Sequence, residues 1–97
     1  MLRHIFVGPT HPGCPDDAML DVVNTLRELP GLVPWIRDFS VEKTFTWSGT
    51  QAVVLIAEFD SQADWERYMH EPKHLALGDR IKNVIDLSRM TVVQTDA

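Results

Sequence analysis

The run Ala52-Val53-Val54-Leu55-Ile56-Ala57, carried on to Phe59, is apolar at nearly every position. An apolar stretch without alternation predicts a strand covered on both faces, hence a central one. Upstream, Ser48-Gly49 is a turn signal. Before it, Trp35, Arg37, Phe39, Val41, Lys43, Phe45 and Trp47 alternate with Ile36, Asp38, Ser40, Glu42, Thr44 and Thr46. That is the period of a strand, with room for a twist or bulge along its length. Downstream, Ser61 followed by Asp64 is a weak form of the capping pattern that opens a helix, here with Trp65, Tyr68 and Met69. After Pro72, the residues Leu75, Leu77, Ile81, Val84 and Ile85 resume helical spacing, and Arg89 to Gln94 reads as a last strand.

The N-terminal third supplies two more elements. Leu2 to Val7 reads as a strand and Gly8 to Gly13 as a loop. Pro15 suits the first turn of a helix, and Asp16 and Asp17 suit its positive end. Ala18, Met19, Val22, Val23, Leu26 and Leu29 form its apolar stripe, and Pro30-Gly31 predicts its stop. The order β-α-β-β-α-α-β predicts an α+β fold of the ferredoxin-like split βαβ plan, with helices on one face of a four-stranded antiparallel sheet. A chain of 97 residues has room for one core, so residues 1–97 are read as one domain. Two helical segments cannot cover both faces of such a sheet. The apolar side of the second strand (Phe39, Val41, Phe45, Trp47) is therefore expected to be bare and to seat a second copy in a two-fold homodimer.

Composition narrows the function classes. The net charge of -5, with no Lys/Arg cluster, argues against nucleic acid as a partner, which wants a basic face. Apolar residues make up 44% and charged residues 24%, the balance of a soluble globular chain. No stretch approaches transmembrane length, so no membrane role is expected. The opening apolar run is too short for a signal peptide and ends at Gly8-Pro9. Cys14 is the one cysteine, so no disulfide forms within the chain, and a cytoplasmic location is the expectation. No glycine-rich nucleotide loop, flavin signature or haem motif occurs, and no cofactor is expected.

Chemistry-bearing residues concentrate in Tyr68-Met69-His70-Glu71-Pro72-Lys73-His74. His70 to His74 fits the H-E-x-x-H pattern, in which two histidines bind zinc from one face of an unbroken helix. Pro72 rules that geometry out. It removes a backbone donor, clashes with the preceding turn and drives residue 71 out of helical angles. The segment instead predicts a helix ending near Met69, a kink at 70–72 and a new helix starting near His74, with no metal site. His74 at a helix start favours the neutral imidazole, which suits a general base or a bond that fixes the kink. His4 alternates with apolar residues and reads as a core histidine satisfied by a carbonyl or by Tyr68. His70 and Glu71 read as a solvated corner, and Met19 and Met69 as core filler.

Arg3-His4-Ile5-Phe6-Val7, the Pro-initiated helix, the exit Ala57-Glu58-Phe59-Asp60-Ser61 and Tyr68…Pro72-x-His74 together resemble the stress-responsive dimeric α/β-barrel family, Dabb. The resemblance runs over essentially the whole chain. It implies a ferredoxin-like protomer and a dimer whose two sheets form an α/β barrel. A plant polyketide cyclase of this family uses a first-strand His and a Tyr-x-x-x-Pro-x-His pair. His4, Tyr68 and His74 occupy those positions, and Gly78-Asp79 matches the pair that follows. The implied activity is a cofactor-free aldol cyclase or lyase acting on a poly-β-keto chain. His74 would be its base and Tyr68, oriented by His4, its hydrogen-bond donor. The implied pocket between sheet and helices is lined by Phe6, Met19, Val22, Val23, Leu55, Leu77, Gly78 and Asp79. Three departures bear on substrate fit. Gly8-Pro9 replaces a Lys-bearing strand end, Gln94 stands where the cyclase has an acid, and Met19, Val22 and Val23 stand where it uses aromatics. A non-catalytic dimer, stress-associated or holding a small apolar ligand, is the competing reading. A cofactor-free oxygenase, by analogy of fold alone, is a third.

Overall fold

The computed structural model describes residues 1–44 and 51–97. Strand β1 (Leu2–Pro9) leads to helix α1 (Asp16–Leu26), a single helical turn α2 (Leu29–Leu32), β2 (Asp38–Lys43) and β3 (Ala52–Phe59). Helices α3 (Gln62–His70) and α4 (Pro72–Ile81) follow, then a 3-10 turn at Leu87–Arg89 and β4 (Thr91–Asp96). The four strands lie in the order β2-β3-β1-β4, and every neighbouring pair is antiparallel. Strands β1 and β2 therefore run the same way with β3 between them, the split βαβ arrangement of a ferredoxin-like α+β fold. The apolar run 52–59 is one of the two inner strands, as its lack of alternation predicts.

Strand register decides which side is which. His4 pairs with Ala57 and Phe6 with Leu55; on the other side of β3, Phe39 pairs with Ala57 and Val41 with Leu55. Val53, Leu55, Ala57 and Phe59 are buried together with Val41, Met19, Val22, Leu26, Tyr68 and Leu77, so this face lies under the helices. Each Val, Leu, Met or Phe among them removed from water contributes about 1.5–3 kcal/mol. Phe39 and Val41 thus belong to the core, against the expectation that they form the bare face. Phe45 and Trp47 fall outside the described residues. Alternation identifies residues that share a side, but not which side the helices take. The open face instead carries Ile5, Val7, Val54 and Ile56, all half-buried, and Val93, which is 44% exposed. Arg3 and Glu58 sit opposite each other at one end of that face, joined at 2.9 Å.

Several boundaries differ from the sequence reading. Strand β1 runs on to Pro9, because β4 pairs only as far as Val7 and leaves that edge open to a residue without an N–H. Helix α1 stops at Leu26, and Pro30-Gly31 lies inside α2, where Pro in the first turn costs no hydrogen bond. Strand β2 begins only at Asp38. Trp35 precedes it, donating from Nε1 to the Asp64 carbonyl at 3.0 Å beneath the Arg67 guanidinium. Ile85 lies beyond α4, fully buried, in an isolated bridge with Thr10. Among the described residues no helix is long and apolar enough to cross a membrane.

Candidate active site

Ser61 accepts from the Asp64 N–H at 3.2 Å and opens α3. The helix ends at His70, and Glu71 adopts φ -68 and ψ 121, the extended angles forced on a residue before proline. Pro72 is then the first residue of α4, where its missing N–H is harmless. Glu71 caps the new helix by accepting from the Lys73 N–H at 3.4 Å. The sequence reading of a broken helix pair holds, with the second helix starting two residues earlier than expected. His70 points to solvent while His74 turns inward, so the two do not share a face. No cluster of three metal-ligating side chains occurs among the described residues.

Between sheet and helices lies a cavity of about 210 Å³. Its wall is apolar, with Phe6, Leu55, Leu77 and Gly78 of the expected pocket residues among the lining. His4, Tyr68 and His74 are its polar side chains. Met19, Val22 and Val23 are not on its wall; α1 turns them into the packed core, each under 5% exposed. Asp79 is not there either. Its side chain is 83% exposed and pairs with Lys82, three residues on, away from the inward stripe of Leu77 and Ile81. Leu26, Leu29 and Ile81 line the cavity, as do Leu87, Met90 and Val92 from the connector and last strand. Of these, Leu26, Leu29 and Ile81 were legible as inward stripes of helices. The connector residues carried no periodic signal that could have placed them.

The aromatic groups form a chain of contacts. His74 stacks on Tyr68 at 4.0 Å between ring centroids with planes 26° apart. Tyr68 meets His4 edge to face at 5.6 Å and Phe59 at 5.1 Å. Tyr68 is 1% and His4 3% exposed. Among the described residues no hydrogen bond joins His4 to Tyr68; their contact is ring against ring. His4 Nδ1 instead receives Trp65 Nε1–H at 3.2 Å and lies 3.1 Å from Gln94 Nε2.

Burial sets the charge states. It drives the His4 imidazole down to about 4, helped by repulsion from His74. It lowers His74 as well, with the nearby Tyr68 carbonyl acting in the opposite direction. His74 Nδ1 is buried without a well-formed hydrogen bond, so burial dominates. The helix start, the sequence-based reason for a neutral His74, is thus secondary to desolvation. Burial raises the Tyr68 hydroxyl, which stays a phenol and a donor. The site at neutral pH therefore holds two uncharged imidazoles and one phenol around an apolar space.

No curated protein matches the chain in sequence. Among solved structures, a dimeric protein of ferredoxin-like fold from Bacteroides fragilis is 24% identical with a TM-score of 0.80, covering 99% of this chain and 95% of its own. The hydroxynitrile lyase of Passiflora edulis is 13% identical with a TM-score of 0.78, covering 97% of this chain and 90% of its own. An antibiotic biosynthesis monooxygenase is 21% identical with a TM-score of 0.69, covering 100% and 98%. At these identities the likeness is one of fold. The family described as Stress responsive A/B Barrel Domain, Dabb, matches residues 2–96, and this chain belongs to it.

Proposed function

We propose that this chain is a lyase or aldol cyclase acting on a small carbon acid without a cofactor, and that it works as a homodimer. The observation that carries the reading is the His74–Tyr68 stack on an apolar cavity, with an imidazole held neutral by burial. A neutral imidazole removes a proton from a carbon next to a carbonyl. The C–H electron pair becomes an enolate, and Tyr68 donates its hydroxyl hydrogen bond to the new oxyanion. The enolate then either expels a leaving group from its β carbon, forming a C=C bond while the departing group takes the imidazolium's proton, or its carbon attacks a second carbonyl of the same chain. In the second case the imidazolium returns its proton to the alkoxide, and the base is regenerated. A poly-β-keto chain is the substrate to which the family resemblance points. The volume of about 210 Å³ lies below the usual ~300–1,000 Å³ of ligand pockets, which favours a short one. The similarity of fold to a hydroxynitrile lyase is compatible with this class.

The dimer reading rests on the open sheet face, where Ile5, Val7, Val54, Ile56 and Val93 have no covering element among the described residues. The similar Bacteroides fragilis protein is itself described as dimeric. The test of the chemistry is turnover of short β-keto thioesters and linear polyketides, followed by proton exchange and ring closure. His74→Ala should fold and lose roughly 10²–10⁴-fold in rate. Tyr68→Phe should lose rate while keeping ligand affinity. Full activity in His74→Ala contradicts the assignment. Binding of small apolar ligands without turnover by the wild type would favour the alternative of a non-catalytic ligand-binding dimer.

A further inference from the structure

His4 occupies the third polar position on the cavity, and its surroundings define a role separate from that of His74. Two N–H groups converge on its Nδ1. Trp65 of α3 reaches it at 3.2 Å and Gln94 of β4 at 3.1 Å. An indole N–H can only donate, so Nδ1 must present its lone pair and carries no proton. The Gln94 amide must then turn its NH2 inward as well, because its carbonyl oxygen would face that lone pair. A neutral imidazole with a bare Nδ1 has its proton on Nε2. Among the described residues Nε2 has no protein partner and is not sealed from the cavity that His4 lines. We propose that Trp65 and Gln94 are positioning residues that hold His4 as the neutral Nε2–H tautomer, making it a second hydrogen-bond donor, beside Tyr68, to an oxyanion formed in the cavity.

This rests on the reading of the cavity as a site for a carbonyl acid. It divides the histidines by function: His74 accepts a proton and His4 only donates a hydrogen bond. The burial that keeps His4 uncharged at neutral pH agrees with that division. Two donors aimed at one oxygen form the preorganised arrangement that stabilises developing charge. The partners also come from separate elements, α3 and β4, so the tautomer depends on the assembled fold rather than on a local turn.

The test reads the tautomer directly. The protein, with its four histidines labelled with nitrogen-15, is examined by two-bond proton–nitrogen spectra at pH 8, with His4→Gln assigning the signals. His4 should show a protonated Nε2 and an unprotonated Nδ1. In the double variant Trp65→Phe/Gln94→Leu the two nitrogens should move toward each other as the tautomers mix. A proton on Nδ1 in the wild type, or unchanged signals in the double variant, overturns the positioning role. The donor role is read with 4-nitrophenolate as an oxyanion probe and nitrobenzene as its uncharged counterpart. His4→Phe should weaken 4-nitrophenolate about ten- to a hundredfold, the worth of one hydrogen bond to a charged group. It should leave nitrobenzene unchanged, and His4→Gln should recover part of the loss. Equal loss for both probes overturns the donor role. None of these measurements depends on turnover or on His74, so they stand or fall apart from the His74→Ala result.

Discussion

Replacing Gly8 with alanine tests a close approach: among the described glycines it is the one where an added Cβ would meet another atom within 4 Å. Gly8 lies on the helix side of β1, where a Cβ would sit 2.7 Å from Cγ2 of Ile85 and 2.7 and 2.8 Å from two ring carbons of Phe6. Carbon atoms pack best at about 3.5–4.0 Å, so the added methyl lacks roughly 1 Å of room on each side. Ile85 is 0% exposed and tied through its bridge to Thr10, so it cannot retreat. Phe6 can yield only toward the cavity it lines. Overpacking of this kind costs about 1–3 kcal/mol. The stiffer unfolded chain returns about 0.4–1 kcal/mol. Taking the middle of each range leaves a net loss of about 1.3 kcal/mol, which for a domain of this size lowers Tm by roughly 5–10 °C. Thermal and urea unfolding followed by circular dichroism measure it. The displaced Phe6 ring should also shrink the cavity and weaken any small ligand. An unchanged or higher Tm would refute the packing argument, because it would mean that Ile85 and Phe6 move without cost.

Acid should weaken the fold through the buried histidines. His4 titrates at about 4 when folded and at 6.5 when free, so the unfolded chain takes up its proton first as pH falls. Its contribution is complete above about pH 6.5 and disappears by about pH 4, a difference of roughly 3 kcal/mol. His74 acts in the same direction. Urea midpoints at pH 7 and pH 4.5 should differ accordingly, less so in His4→Gln, and equal midpoints would contradict the burial argument. Ile56→Asp puts a charge at the middle of the open sheet face and should yield a monomer by sedimentation velocity. A dimer that survives it with wild-type affinity uses another surface. Elemental analysis should find no stoichiometric zinc bound through His70 and His74; zinc that leaves together with thermal stability on chelation would reverse that expectation.

The fold was legible because its evidence is periodic. The unalternating run 52–59, the helical stripe from Met19 to Leu26 and the proline at 72 each exclude most other placements. The sidedness of the sheet was not legible in the same way. Phe39 and Val41 look like a bare apolar ridge until the pairing with Ala57 and Leu55 turns them under the helices. His4, Tyr68 and His74 were placed together on resemblance, and all three line one cavity. Met19, Val22 and Val23 were placed there on resemblance, yet α1 buries them in the core. Trp65 and Gln94 were missed as partners of His4, because a contact spanning 61 and 90 positions leaves no local trace.

The break between α3 and α4 has a consequence for how the site can change. Six residues apart on an unbroken helix, two side chains stand about 9 Å apart along the axis and about 120° apart around it. No two rings so placed can stack, yet Tyr68 and His74 do, at 4.0 Å. Their contact is thus a property of the corner at Glu71-Pro72, whose side chains do not line the cavity. The angle of that corner sets the spacing of the His74 and Tyr68 rings as a hinge sets the gap between two plates. A relative that keeps every residue of the cavity wall would therefore still hold its two rings at a different separation, by changing only the two residues at the bend.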